Sequence, residues 1–380
     1  MGPPFAVLFL ALASGLGAGV YGAIGSGGFP LDDAWIHLQL ARNVSVGAGF
    51  GLNPHEPVSL STAPLWTLLV ALLHLLPWDI VAGVKTAGAL LLYANALMTW
   101  WLAQRIGLDR GWALLAGLVV GLTPRFLWAS QSGMEILLYA LLATGGLVLH
   151  LRAFAAAPSW GATALWSLAT LARPECAIFL PLAFADRWRA TGQWRRVAAD
   201  FWRHLLLFLL PLLPWAYFNY NYGSGVLPNT YYAKVGAFGL LGALSAGAWM
   251  QAGAALVLYP LEQMQELARF AVENNIVLAV AAPLGLLAVA KRGREESWLI
   301  LLVVIGFPVL RGILAPFKGA TFQQGRYAAY LVPLLTVIGL VGLRCAWHLL
   351  REGLSYEVAR RWRRGFVGLV WVLVLGNLMV

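Results

Sequence analysis

Charge is scarce in this chain. Asp, Glu, Lys and Arg together make up 11% of 380 residues, while 60% are apolar. With a mean hydropathy of +0.74, that balance excludes a soluble globular domain and points to an integral membrane protein. Cysteine is nearly absent. Cys176 and Cys345 each sit inside an apolar run, which excludes a disulfide framework and a CxxC metal site. They map to opposite ends of their runs and should stay unpaired. The six histidines are dispersed, so no zinc site is expected, and there is no Walker loop and no HExxH. No tandem repeat of fixed period and no low-complexity linker divides the chain, so residues 1–380 read as one polytopic domain. No basic n-region precedes the first apolar run, Phe5 to Ile24, so it reads as a retained span rather than a cleaved signal.

What is present is a series of long apolar runs. Punctuation by Pro, Gly and Arg gives expected spans at 4–24, 81–103, 112–129, 135–151, 161–172, 176–186, 205–221, 274–290, 298–313, 328–347 and 366–380. The expected fold is an all-α integral membrane protein of about eleven transmembrane helices. Two further apolar stretches, 64–76 and 239–259, fit either spans or helices lying in the interface. Basic residues decide between these. With a cytoplasmic N-terminus and neither stretch crossing, the clusters Arg187, Arg189, Arg195-Arg196, Arg203, Lys291, Arg292, Arg294, Arg360-Arg361 and Arg363-Arg364 all fall inside. The outer side then keeps only scattered single cations, among them Arg42, Lys85, Arg125, Arg311 and Lys318. This is the positive-inside pattern. It accounts for the net charge of +10 without nucleic acid and suits contact with anionic membrane lipid. Two large external regions follow, 25–80 and 222–273, which read as juxtamembrane helices and loops resting on the bundle. Residues 187–204 and 348–365 are expected inside.

On that topology the polar residues of an otherwise apolar chain gather on one side: Asp32, Asp33, His37, Glu135, Arg173, Glu175, Lys234 and Arg326. Ionisable groups beside a membrane are functional candidates by default. Asp32-Asp33 open a helical pattern after Gly28-Phe29-Pro30-Leu31. One reading is a helix cap, for which a single Asp suffices. The other is a general base that takes a proton from an attacking hydroxyl. His37 lies one turn after Asp33 on the same face. Glu135 opens a span, where the helix dipole favours it. Arg173-Pro174-Glu175 breaks two apolar runs. Tyr231, Tyr232 and Lys234, and likewise Arg326-Tyr327, set cations beside aromatic hydroxyls, groups that can hold a phosphate and contact a sugar. As membrane anchors the same cations would simply snorkel to headgroups.

These segments resemble a known group. Asp32-Asp33-Ala34-Trp35-Ile36, Ala41-Arg42-Asn43, Asn53-Pro54, Leu65-Trp66, Gly133-Met134-Glu135, Arg173-Pro174-Glu175, Pro228 to Lys234 and Gly325-Arg326-Tyr327 occur in order over most of the chain. Together they are similar to bacterial membrane glycosyltransferases of the GT-C fold, in the polyprenyl-phosphate-dependent arabinofuranosyltransferase and mannosyltransferase branch. The resemblance implies transfer of a sugar, with inversion, from a polyprenyl-phosphate donor to a hydroxyl of a glycan, lipid or protein acceptor. It implies a bacterial inner membrane with the site on the external face. The first-loop Asp would be the base, Asp32 before Asp33. Lys234 and Arg326 would hold the donor phosphate, with Tyr231, Tyr232, His37, Arg173, Glu135 and Glu175 around it. No cofactor is implied, and the one position open to a divalent cation is the Asp32-Asp33 pair. The competing reading is a non-enzymatic flippase or transporter of lipid-linked sugars. It would set charges near the bilayer midplane and favour inverted repeats.

Overall fold

The computed structural model describes residues 3–25, 27–154, 157–235, 239–291, 293, 296–316, 320–352 and 356–378. Arg292, Arg294, Lys318 and residues 353–355 of the expected inner loop lie outside the described residues.

All described elements are helical. The first half of the chain runs through α1 (Pro3–Ile24), α2 (Asp32–Ser45), α3 (Pro64–Leu73), α4 (Ile80–Arg105), α5 (Arg110–Leu122), α6 (Pro124–Gln131), α7 (Ile136–Ala153), α8 (Trp160–Ala172) and a short 3-10 turn (Pro174–Ile178). It continues with α9 (Phe179–Thr191), α10 (Trp194–Leu209), α11 (Leu212–Tyr222), α12 (Asn229–Val235), α13 (Leu240–Ser245), α14 (Trp249–Leu256) and α15 (Leu258–Asn274). Then come α16 (Ile276–Ala290), α17 (Leu299–Leu314), a single turn α18 (Phe322–Gly325), α19 (Leu331–Arg351) and α20 (Tyr356–Gly376).

Local chemistry sets the breaks. Asp79 caps α4 by accepting from the Ala82 amide at 2.8 Å, and Asp109 caps α5 from Gly111 and Trp112. Thr123, extended at φ −63° and ψ 130° before Pro124, ends α5 and bends the α5–α6 pair by 49°. Pro174 stops α8. Gly192, at φ 68°, closes α9 in the left-handed region.

Among the described residues, four helices are long and apolar enough to cross a membrane: Pro4–Ile24, Ile80–Arg105, Ile136–Ala153 and Leu331–Arg351. The number rises to six if the bent pairs α5–α6 and α10–α11 each make one span. This is a multi-pass membrane protein. The other expected spans correspond to shorter helices, α8 and α9 of 13 residues each, α16 of 15, α17 of 16, and the apolar segment Gly365–Gly376. The two ambiguous stretches do not form long helices. Residues 64–76 hold the ten-residue α3, and 239–259 is broken into short pieces around Gly247. A ten-residue helix rises only about 15 Å, half a hydrocarbon core.

Buried aromatics fill the centre. Tyr330 meets Tyr139, Phe179 and Phe307 edge-on, with ring centroids 6.0, 5.5 and 5.8 Å apart. The two ends of the bundle differ. One gathers Asp33, Glu135, Arg173, Arg311 and Arg326. The other gathers His150, Phe154, Asp186, Arg187, Arg189 and Ser297.

Candidate functional site

The first region expected outside provides the floor of the site. α2 packs on α3, and Nδ1 of the buried His37 lies 2.9 Å from the Thr67 hydroxyl. The Trp66 indole donates to the Gly133 carbonyl at 2.9 Å, which locks α3 to the start of α7 and to Glu135. Gly133 holds φ 71°, and an added Cβ there would press on Phe29 and Ala34 at 2.8–3.0 Å. The second region is tied to the first through residues 59–60. The Asn229 amide donates to the Ser59 carbonyl at 3.0 Å, and the Thr230 hydroxyl to the Leu60 carbonyl at 3.4 Å.

α2 starts at Asp32 behind Leu31, so neither aspartate is its N-cap. Asp32 is exposed, and its Oδ1 accepts the Asp33 amide at 2.9 Å. Asp33 is half-buried and accepts a charged hydrogen bond from Arg326, a residue nearly the whole chain away. Burial pushes the Asp33 carboxyl up. The hydrogen bond and charge of Arg326, aided by Lys234 and His37, outweigh that and hold it below the usual carboxylate range. Lys234 and Arg326, the two expected phosphate cations, thus both bear on Asp33.

Behind this pair lies a second layer. Glu135, 1% exposed, forms an ion pair with Arg173, Oε1 to Nε at 3.0 Å, and its Oε2 lies 3.7 Å from His37 Nε2. Burial pushes His37 below its ordinary value, against the pull of Glu135 and Asp33 toward the charged form. It is a neutral imidazole between a hydroxyl and a carboxylate. Glu175 accepts from Arg311 at 3.4 Å. The ring of Tyr327 stands among three guanidinium groups, Arg173 at 4.5 Å, Arg311 at 4.6 Å and Arg326 at 5.1 Å. The Tyr327 hydroxyl also accepts from Arg326 at 3.2 Å.

Asp33, His37, Glu135, Arg173, Glu175 and Arg326 are therefore linked through side-chain contacts that run by way of Arg311 and Tyr327, and Lys234 acts on Asp33 through its charge. Asp32 stands at the edge. Tyr231 and Tyr232 pack edge-on at 5.6 Å, but the Tyr232 hydroxyl accepts from the Leu227 amide at 3.4 Å and so closes its own loop.

Three participants escaped the sequence reading. Arg311 was visible as an external cation, yet it lies in the last turn of an apolar helix with no motif around it. Thr67 is one hydroxyl in an apolar helix. Tyr139, in a span, donates to the Arg326 carbonyl and accepts from the Ala329 amide at 3.1 Å. These two contacts pin the turn that presents Arg326. The turn itself is left-handed at Gln323, Gln324 and Gly325, with φ of 44°, 57° and 77°. Only long-range packing could reveal it.

The donor set does not fit a cation bound by the Asp32-Asp33 pair as it stands, because Asp33 is paired with the Arg326 guanidinium and lies in the field of Lys234. Among the described residues no group of three or more His, Cys, Asp and Glu side chains could hold a metal ion. A cavity of about 310 Å³ lies away from the charges, between α4, α7 and α8, lined by Leu97, Met98, Trp101 and Leu142.

The fold is GT-C-like. No protein-family description and no curated protein matches the chain. Solved structures do. The oligosaccharyltransferase of Archaeoglobus fulgidus in its apo form superposes with a TM-score of 0.65 at 15% identity, covering 98% of this chain and 54% of that one. The archaeal oligosaccharyltransferase AglB from the same organism, in complex with an inhibitory peptide and a dolichol-phosphate, gives 0.63 at 15% identity, with 98% and 55% covered. The complex with zinc and sulfate gives 0.64 at 16%, with 98% and 52% covered. Identity this low shows a shared fold. The chain spans about half the length of the structures it matches.

Proposed function

We propose that the chain is a membrane glycosyltransferase that moves a sugar from a polyprenyl-phosphate donor to a hydroxyl of a glycan, lipid or protein acceptor. The observation that carries this reading is the ion pair of Asp33 with Arg326, two distant segments joined within the field of Lys234 at one end of a GT-C-like fold. The solved neighbour with a bound dolichol-phosphate supports a lipid-linked donor. The whole chain acts as one membrane domain in a bacterial inner membrane, with the site on the external face. Eleven crossings are accounted for if α8, the 3-10 turn with α9, α16, α17 and α20 each cross alongside the four long helices and two bent pairs. The first-loop motifs favour the arabinofuranosyl and mannosyl branch.

The chemistry follows from the charges. The acceptor oxygen attacks the anomeric carbon from the face opposite the phosphate and forms the new C–O bond. The bond to the phosphate oxygen breaks with its electron pair, which inverts the centre and releases polyprenyl phosphate. Lys234 and Arg326 offset the charge that develops there. Asp32 takes the acceptor proton. It is the better base of the pair, since Asp33 is held ionised in an ion pair and is better suited to orienting the cations. A flippase would not need this acid–base set at one end.

The test is turnover of purified protein with a panel of polyprenyl-phosphate sugars, read as released polyprenyl phosphate. Asp32→Asn should lower kcat by about 100-fold or more while donor binding persists, and Asp33→Asn should act mainly on donor KM. Near-wild-type transfer by Asp32→Asn would overturn the assignment of the base, and no release from any donor would overturn the activity.

A further inference from the structure

Between Lys234 and Glu262 the chain carries no Asp, Glu, Lys, Arg or His. A run this apolar is long enough to cross a bilayer, yet it does not form one helix. α13 and α14, of six and eight residues, pack against each other across a turn at Gly247, which holds φ 67°. They rise only about 9 and 12 Å, against about 30 Å of hydrocarbon. The faces of this hairpin are reversed from those of a helix pair in water. Ala243, Ala252 and Ala255 are buried, while Leu241, Leu244, Trp249, Met250, Leu256 and Val257 are exposed, Trp249 at 75% and Met250 at 91%. Small side chains inside and large apolar ones outside is the distribution of a segment whose solvent is lipid. The backbone agrees. The amides of Ala246, Gly247, Ala248 and Trp249 donate to the carbonyls of Gly242, Leu244, Ala243 and Gly247 at 2.8–3.1 Å. The Ser245 hydroxyl donates to the Gly242 carbonyl at 2.9 Å. A turn in water can leave such groups to the solvent, whereas a turn in lipid must satisfy them internally.

The hairpin is fastened to the candidate site at both ends. Lys234, whose charge bears on Asp33, lies in the last turn of α12 just before it. At its start Gly239 meets the Leu314 carbonyl, and just past its end Tyr259 and Pro260 meet Gly312; an added Cβ at these glycines would stand 2.7 and 2.4 Å from that backbone. Gly312 follows Arg311, one of the guanidinium groups around Tyr327. We propose that the α13–α14 hairpin is inserted in the bilayer leaflet at the Asp33 end of the bundle, and that it thereby holds Lys234 at headgroup depth, where a lipid phosphate lies. The second half rests on the polyprenyl-phosphate reading. The insertion is shallow. Trp249 suits the boundary between hydrocarbon and headgroups, and the exposed amide of Gln251 beside it lies at the same level. Charge returns at Glu262, one turn into α15.

The experiment uses the full chain in lipid nanodiscs, with Cys176 and Cys345 changed to Ala and one nitroxide label at Met250→Cys or Glu262→Cys. Both positions are exposed, so neither substitution disturbs packing. Power-saturation electron paramagnetic resonance compares collisions with oxygen, which concentrates in lipid, and with a nickel chelate, which stays in water. The label at 250 should favour oxygen and the label at 262 the chelate. A chelate that reaches 250 as readily as 262 would overturn the insertion and leave the hairpin as a surface for a water-borne partner. A second arm measures binding of undecaprenyl phosphate. Trp249→Gln with Met250→Gln should weaken it by about fivefold, the scale of re-ordering one or two side chains on binding. Wild-type affinity in that double variant, with the label at 250 still in lipid, would overturn the role given to Lys234. If undecaprenyl phosphate does not bind even the wild-type chain while the label reports lipid, the insertion stands and the polyprenyl-phosphate reading falls, and the headgroup role of Lys234 with it.

Discussion

His37 is the residue where burial and charge disagree most plainly. It is 7% exposed, its Nδ1 is taken by Thr67, and its Nε2 looks toward Glu135 at 3.7 Å. An acid so near would ordinarily favour the imidazolium. Burial wins, with help from Arg173 and Arg326, and the pKa moves down. The sign for stability follows. Between the lowered folded value and the ordinary value of about 6.5, the unfolded chain binds a proton that the folded one refuses. Stability should therefore be constant above that ordinary value, fall as pH drops through the window, and level off below the folded pKa. One proton limits the slope to roughly 1.4 kcal/mol per pH unit. Urea unfolding of detergent-solubilised protein between pH 5 and 8 measures it, and His37→Gln should flatten this component. Asp33 acts at the other end of the scale, since its depressed pKa contributes stability that is lost only as pH falls below the ordinary carboxylate range. An unchanged slope in His37→Gln would show that another group titrates. The sequence made His37 visible as a polar residue one turn from Asp33. Its lowered pKa was not legible, because it depends on burial by other helices and on Arg173 and Arg326, which come from distant parts of the chain.

At the level of helices, close approach depends on glycine. α16 and α19 pack backbone to backbone, with Gly285 against Ile338 and Gly342 against Ala281. A Cβ at Gly339 would stand 2.7 Å from the Leu278 Cβ, and one at Gly342 would overlap the Ala281 carbonyl oxygen. Without a hydrophobic drive between helices in lipid, such small-residue contacts carry association. Gly342→Val should force the pair apart and cost roughly 1–3 kcal/mol or more, read as a lower midpoint of thermal unfolding in detergent. Gly368→Val, in α20 with nothing within 4 Å of the added Cβ, should do far less. Equal effects would place the loss in helix propensity and not in packing. The long apolar helices were readable from composition alone, because hydropathy acts locally, but the expected span 112–129 ran straight through Pro124, where the structure bends by 49°. The bend between α10 and α11 falls at Pro211, another proline that an expected span, 205–221, ran through. The left-handed turn at Gln323–Gly325 was not readable, because it is set by packing: Phe270 crowds Gly325.

Over the whole molecule the two ends are chemically distinct, and each is tied together by residues far apart in sequence. At one end Asp186, fully buried, accepts from the Ser297 hydroxyl and the Trp298 amide at the start of α17, while Arg187 donates to the Phe154 carbonyl and Arg344 to that of Gly107. The basic pair Arg195-Arg196 lies exposed at the start of α10, on the same side as this cluster. At the other end the acid–base network joins α2, α7, α8, α17 and the turn before α19. Charge parity in the sequence expects these two clusters on opposite sides of the membrane, because positive-inside bias depends only on which loops carry Lys and Arg. The partition says that opposite ends are opposite, and one measurement fixes which faces out. The chain's own thiols, Cys176 and Cys345, are both free, so a cysteine-free background needs Ala at both positions. Glu56→Cys then reports the Asp33 end, since its loop is bonded to α2 through Asn43 and Gly51 at 2.7 Å. Arg195→Cys reports the Asp186 end. With a membrane-impermeant maleimide on intact cells whose outer barrier is opened, Glu56→Cys should label at once, and Arg195→Cys only after the inner membrane is permeabilised. The reverse pattern would put the acid–base network in the cytoplasm, where the acceptor would have to be a cytoplasmic molecule. Labelling of both in intact cells would mean that a single crossing between residues 56 and 195 is lost, the bent pair α5–α6 or one of the short helices α8 and α9, which brings the two loops to the same side.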